Sequence, residues 1–325
     1  MNNNIIKASF TAEYVSPKHP DKMCDRISDA ILELFLSQDP HSRVAVETLG
    51  GHGRVFIVGE VTSTGNITQS EYEQIVADVT GVNTFKVTVH IAQQSPEIAF
   101  GVDQGGAGDQ GVVIGYACNH NEEMIPQELY LAKSLCNYLY ERHPADGKTQ
   151  ITINDKHEIT HIVASFQGTT TQELEADVID WCQGKKVFSG DTKLFINPAG
   201  EWHIGGFEAD TGLTGRKIVL DQYGPRVPVG GGAFSGKDWT KVDRSGAQYA
   251  QYIAQQLLQK YKAQEVRVEL AYVIGVAEAV HKIAYRDSVP YSIDEYDCSI
   301  EGIKNFIQRN VELFTRAALD NSCGE

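Results

Sequence analysis

Several short segments of this 325-residue chain mix glycine, a lysine or arginine, and a lone aspartate. That combination suits a site for a polyphosphate held together with a divalent cation. His19-Pro20-Asp21-Lys22 stands at the predicted start of a helix. A helix N-terminus carries partial positive charge and unpaired N–H groups, so anions collect there. His19 and Lys22 would add donors, and Asp21 can take a magnesium ion. The same residues also read as a plain cap, with proline at the first helical position and an acid in the first turn. Gly105-Gly106-Ala107-Gly108-Asp109-Gln110-Gly111 allows close backbone approach to a ligand. Asp109 is oddly placed there unless it meets a cation or a hydroxyl; the plain alternative is a turn before a strand over Val112 to Tyr116. Gly230 to Lys237 nearly matches a P-loop, but Asp238 follows where serine or threonine must hold magnesium. Tyr223-Gly224-Pro225 and Pro228 leave no strand before it. It is read instead as a glycine-rich phosphate contact with Lys237 as a point charge. Asp210 to Lys217 and Lys241-Val242-Asp243-Arg244 complete the set. A solvated face explains any one such cluster; together they describe a polyphosphate and metal site.

Something must hold these segments in place. Three strand-turn-strand units alternate with period two around turn formers. Arg43 to Thr62 turns at Gly50-Gly51-His52-Gly53, Gln150 to Ser165 turns from Asn154-Asp155, and Lys193 to Ile204 turns at Asn197-Pro198-Ala199-Gly200. Helical spacing in Asp21 to Gln38 puts Ile27, Ala30, Ile31, Leu34 and Phe35 on one face. Gln127 to Arg142, Thr171 to Cys182, Val242 to Tyr261 and Ile300 to Phe314 read as further helices, and Val266 to Gly275 as a strand. Helices and hairpins recurring about every hundred residues imply α+β subdomains, each a sheet covered by helices on one face. Their limits are expected near 1–120, 121–225 and 226–325, with discontinuous boundaries.

Composition narrows the partners. Hydrophobic residues make up 42% and net charge is −15, which suits a globular protein and disfavours nucleic acid and anionic membranes. No apolar run reaches the ~20 residues of a membrane span. Met1 to Ile6 lacks the basic and apolar regions of a signal peptide, so a cytoplasmic location is expected. The six cysteines include no C-x-x-C pair, as expected of reduced thiols.

These segments, in this order, resemble the motifs of methionine adenosyltransferases. Phe10-Thr11-Ala12-Glu13-Tyr14-Val15-Ser16 with His19-Pro20-Asp21-Lys22 resembles the family's N-terminal signature. Gly106 to Gly111 is similar to its hexapeptide, and Gly230 to Asp238 with Lys241 to Ser245 to its glycine-rich nonapeptide. Gly212 to Lys217 and Ile274 to Glu278 match as well. The resemblance implies three related α+β subdomains about a pseudo-threefold axis. The implied reaction joins ATP and L-methionine into S-adenosylmethionine, with tripolyphosphate then cleaved to phosphate and diphosphate. It implies two magnesium ions and a potassium ion per site, and a dimer, or a tetramer of such dimers, with active sites between subunits.

Residue by residue, the resemblance gives His19, Lys148, Arg216, Lys217 and Lys237 to the triphosphate. Asp109, Asp146 and Ala233 go to the nucleotide, and Trp202 stands where the family stacks an aromatic ring on adenine. Asp21 and Asp243 would hold magnesium and Glu47 potassium. Glu60, Gln94 and Lys241 would hold methionine, with Asp210 serving both substrates. Three features depart from the family: Lys18 replaces the glycine before His19, Val102-Asp103 runs almost directly into Gln104-Gly105-Gly106 where relatives carry a longer loop, and the chain stops soon after Phe314. These leave two other readings open, a tripolyphosphatase and a nucleotide-binding partner of a longer relative.

Overall fold

One order of elements, helix, strand, strand, helix, occurs twice among the described residues and a third time with an extra strand before its last helix, each time announced by a leading strand. The computed structural model describes residues 8–94, 105–183 and 191–310. Strand β1 (Ser9–Val15) precedes α1 (Pro20–Gln38), β2 (Arg43–Gly51), β3 (Arg54–Thr62) and α2 (Gln69–Thr80), which β4 (Lys86–Gln93) follows. Strand β5 (Gly111–Cys118) precedes α3 (Gln127–Arg142), β6 (Gly147–Asn154), β7 (Ile159–Phe166) and α4 (Thr171–Gln183), which β8 (Lys193–Ile196) follows. Strand β9 (Gly212–Leu213) and the short α5 (Ile218–Asp221) precede α6 (Val242–Tyr261), β10 (Glu265–Tyr272), β11 (His281–Arg286), β12 (Val289–Tyr291) and α7 (Ile300–Arg309).

Each leading strand joins the sheet of a different unit. Antiparallel pairing puts β1 beside β6, β5 beside β10 and β9 beside β2. The result is three four-stranded sheets, β4-β3-β2-β9, β1-β6-β7-β8 and β12-β11-β10-β5, stitched together in a cycle. In the first two, an antiparallel hairpin is followed by a helix that returns the chain to a parallel edge strand. Each sheet buries one face under its own helices. Ile27 and Ile31 of α1 pack with Val44, Val46, Val55 and Ile57, and Leu131 and Leu135 of α3 with Ile151 and Ile162. Ala250, Ile253 and Leu257 of α6 pack with Val266 and Val268. Each such valine, leucine or isoleucine side chain is worth roughly 1.5–3 kcal/mol when fully buried. Among the described residues, no helix is long and apolar enough to cross a membrane.

The third hairpin lies elsewhere than expected. Lys193 to Ile204 supplies only β8, which pairs in parallel with β7; Asn197 to Gly200 is a turn, but no returning strand follows it. The hairpin of the third unit is β10 and β11. Period-two alternation marks any half-buried strand, so it cannot tell a hairpin arm from a parallel edge.

Candidate active site

Local sequence explains how the first group of functional side chains is presented. Pro20 opens α1, and the His19 ring caps it: Nδ1 accepts the Asp21 N–H at 3.2 Å. The Asp21 carboxylate is buried at that helix start. It accepts the Leu213 N–H at 2.9 Å and meets Arg216 Nε at 3.2 Å and the Lys217 ammonium. Burial works against its charge, but Lys217 and the Leu213 N–H outweigh that and hold its pKa below the ordinary value. Lys148, the residue opposite Val15 on β6, ion-pairs with Glu13 at 3.1 Å.

His19 feels this cationic setting. Burial, then Lys217, push its pKa down to about 4, with Lys148 adding to the shift and Asp21 and Asp210 opposing it. The ring is therefore neutral at pH 7. Because Nδ1 already accepts a backbone N–H, the ring proton belongs on Nε2, which is left as a donor. Asp146 stands close by; its carboxylate accepts the Gly206 N–H at 2.9 Å, and burial raises its pKa. Among the described residues the Trp202 indole N–H meets no acceptor, and its carbonyl accepts the Gly168 N–H at 2.9 Å. Asp210, exposed, accepts the Thr211 N–H at 2.7 Å.

A second group surrounds a cavity of about 280 Å³ lined by Ala45, Glu60, Gln94, Asp109, Lys237, Thr240, Lys241 and Asp243. Lys237 Nζ meets Asp243 Oδ2 at 2.8 Å. Glu60 lies on the outer face of the first sheet because β3 alternates, burying Val55 and Ile57 and turning Phe56, Val58 and Glu60 outward. Glu47 is on the same face of β2, and its pKa is raised by local desolvation and by Glu60 against the pull of Lys237. The glycine-rich segment runs alongside β2: Val46 N–H donates to the Gly236 carbonyl at 3.1 Å, and Asp238 N–H to the Val44 carbonyl at 3.1 Å. Gly236 has φ +78, and a Cβ there would lie 2.1 Å from the Val46 carbonyl oxygen, so only glycine fits. Ala233 presses on Gly215, whose own Cβ would lie 2.4 Å from the alanine methyl.

All the expected site residues thus fall into two groups. His19, Asp21, Asp146, Lys148, Trp202, Asp210, Arg216 and Lys217 belong to segments that meet at the start of α1 and the ends of β6 and β9. Glu47, Glu60, Gln94, Asp109, Lys237, Lys241 and Asp243 gather at the cavity, with Ala233 between the groups. Among the described residues, no hydrogen bond or ion pair joins a member of one group to a member of the other. The outer face beside the cavity exposes Leu49, Phe56, Val58 and Leu213.

Two expectations are overturned. Lys22 reaches no anion site: it is buried and ion-paired with Asp25 at 3.0 Å and Asp221 at 2.8 Å. Arg244, read with Lys241 to Asp243 as part of the polyphosphate and metal site, instead pairs, buried, with Asp29 at 3.0 Å. Asp238, which ruled out a P-loop, is structural: it accepts the Val44 N–H at 2.7 Å and the Thr240 N–H at 2.9 Å and pairs with Lys241. Lys18 donates to the Val79 carbonyl at 2.9 Å and so caps the last turn of α2. The short loop at Val102-Asp103 and the segment around Phe314 lie outside the described residues. The five described cysteines are buried and form no disulfide among the described residues.

Sequence reasoning missed the buried polar frame beneath the site. Ser28, Thr48 and Thr214 share hydrogen bonds of 2.9 Å, fastening the Gly212–Lys217 segment to α1 and β2. Among the described residues, no three His, Cys, Asp or Glu side chains gather as a metal cluster.

Comparisons with known proteins bear on the whole chain. The models described as the N-terminal, central and C-terminal domains of S-adenosylmethionine synthetase match residues 7–96, 104–202 and 204–320. A relative from Prochlorococcus marinus (strain MIT 9211), an S-adenosylmethionine synthase, is 40% identical over 322 residues, 83% of this chain and 78% of its own. A solved S-adenosylmethionine synthetase from Campylobacter jejuni, described as unusual, superposes with a TM-score of 0.84 at 29% identity, covering 95% of this chain and 93% of that one.

Proposed function

Because the chain belongs to the S-adenosylmethionine synthetase family, we propose that its two groups of side chains are the halves of one active site, completed between two copies. The protein is a methionine adenosyltransferase: it joins ATP and L-methionine into S-adenosylmethionine. The observation that carries the two-half reading is a matched pair of contacts. Asp21 sits against Lys217, and Asp243 against Lys237 at 2.8 Å. Each pair offers one carboxylate for a metal and one ammonium for a phosphate. The exposed apolar face that carries Glu47 and Glu60 offers the surface for the second copy.

The family uses a divalent metal and a monovalent cation; here magnesium would be held by Asp21 and Asp243, and potassium by Glu47. Bound magnesium supplies charge neutralisation at the triphosphate. Glu60 and Lys241, of opposite sign in one cavity, suit the ammonium and carboxylate of methionine, with Gln94 beside them. Trp202 would stack on adenine, with Asp146, Asp109, Asp210 and Ala233 around the nucleotide.

The chemistry asks for electrostatics and alignment. Methionine sulfur is a neutral thioether with no proton to lose, so its attack on C5′ of ATP needs no general base. Negative charge grows on the leaving triphosphate, where Lys148, Arg216, Lys217 and Lys237 stabilise it. Neutral His19 donates its Nε2 proton as a hydrogen bond to the leaving oxygen. Holding sulfur in line with the breaking bond contributes the rest. Tripolyphosphate is then hydrolysed to phosphate and diphosphate. Purified protein given ATP, methionine and Mg²⁺ forms S-adenosylmethionine, phosphate and diphosphate in equal amounts by mass spectrometry and phosphate assay. Absence of the sulfonium from folded protein would end this reading; phosphate release independent of methionine would favour a tripolyphosphatase.

A further inference from the structure

Lys237 is held at both of its ends by the first turn of α6. Asp243 takes its ammonium at 2.8 Å, and Arg244, the next residue, donates from Nη1 to its carbonyl at 3.1 Å. The same Arg244 nitrogen reaches the Phe234 carbonyl at 3.4 Å and Asp29 Oδ1 at 3.0 Å. Asp29 Oδ1 in turn accepts the Gly236 N–H at 3.0 Å. One buried ion pair therefore grips the glycine-rich segment at residues 234, 236 and 237. It also ties two helices: Asp29 lies on α1, whose first turn carries Asp21, and Arg244 lies on α6, whose first turn carries Asp243.

We propose that Asp29 and Arg244 act as positioning residues for Lys237, fixing its backbone so that its ammonium meets the triphosphate. Generic stabilisation would need only the charge pair, and a buried ion pair is weak grounds for stability, since desolvation offsets much of the attraction. Here the guanidinium also spends its hydrogen bonds on backbone carbonyls of the segment that bears the phosphate lysine. Lysine keeps the charge, but its ammonium ends short of the position Nη1 holds, so it cannot meet Asp29 and the Phe234 and Lys237 carbonyls together. The inference rests on the reading of Lys237 as a phosphate contact, and it makes a claim of non-additivity: residues that act through one another do not cost their separate amounts when removed together.

The test is a double-mutant cycle on the full chain, with single-turnover S-adenosylmethionine formation and methionine KM as readouts. Arg244→Lys lowers kcat about tenfold or more, ~1.4 kcal/mol, with methionine KM changed less than about twofold. In a Lys237→Ala background the same replacement costs less than about threefold further. Losses that multiply in that background, or a loss confined to methionine KM, overturn the proposal. If Arg244→Lys shows no cooperative melt, Asp29→Asn carries the cycle instead, since it keeps its size and acceptor oxygen but removes the counter-charge. An undiminished kcat in Lys237→Ala alone overturns the phosphate reading and this inference with it. A Lys237→Ala defect with multiplicative losses overturns this inference only.

Discussion

Lowering the pH from 8 to 5 leaves His19 neutral, and the structure says by how much. Burial, Lys217 and Lys148 hold its pKa at about 4, against 6.5 for an unperturbed imidazole. At pH 5.5 about 3% of His19 is then protonated, where an ordinary histidine would be about 90% charged. The tautomer is set as well, because Nδ1 accepts the Asp21 N–H. Nitrogen-15 NMR of the imidazoles, with His19→Asn to assign the resonance, reads both: an Nε2–H tautomer and a midpoint near 4. A linked consequence has a definite sign. The unfolded chain binds this proton more readily than the folded one between pH 6.5 and 4. His19 therefore contributes stability that is fully present above about 6.5 and is lost as pH falls towards 4, on the order of 3 kcal/mol in all. A midpoint between 6 and 7, or an Nδ1–H tautomer, would refute the view that His19 is a poised neutral donor.

Other perturbations separate frame from chemistry. Lys22→Met strands Asp25 and Asp221 without their buried cation and should cost about 3–5 kcal/mol in denaturant unfolding; a change under 1 kcal/mol would show the pair to be idle. Gln94→Ala, at the cavity of Glu60 and Lys241, raises the methionine KM several-fold more than that for ATP; the reverse order would remove Gln94 from the methionine half.

Local patterns were legible where one element carries its own signal. The spacing of Leu131, Leu135 and Leu139 gives Gln127–Arg142, and that of α6 gives Val242–Tyr261, both with the observed bounds. The motifs carry family and reaction in the sequence alone. The third hairpin was not legible, because β10 and β11 are joined by the irregular stretch from Val273 to Val280 rather than by a tight turn. Nor was the cyclic exchange of β1, β5 and β9, since pairing of a leading strand with a distant sheet leaves no local trace. Lys22 and Arg244 were misjudged for the same reason. Lys22 has one partner, Asp25, three residues on, but its other partner Asp221 and Arg244's partner Asp29 lie about two hundred residues away, and a charged residue beside a motif looks the same whether it meets substrate or a buried acid.

A mixed assembly tests the two-half site most directly. Asp21→Asn disables one half and Asp243→Asn the other, so each chain alone is nearly inactive. If the halves meet across two copies, a chain of each kind regenerates one intact site, and random pairing restores about a quarter of wild-type activity. Activity in the co-expressed, mixed protein no higher than the mean of the two separate variants would contradict the account.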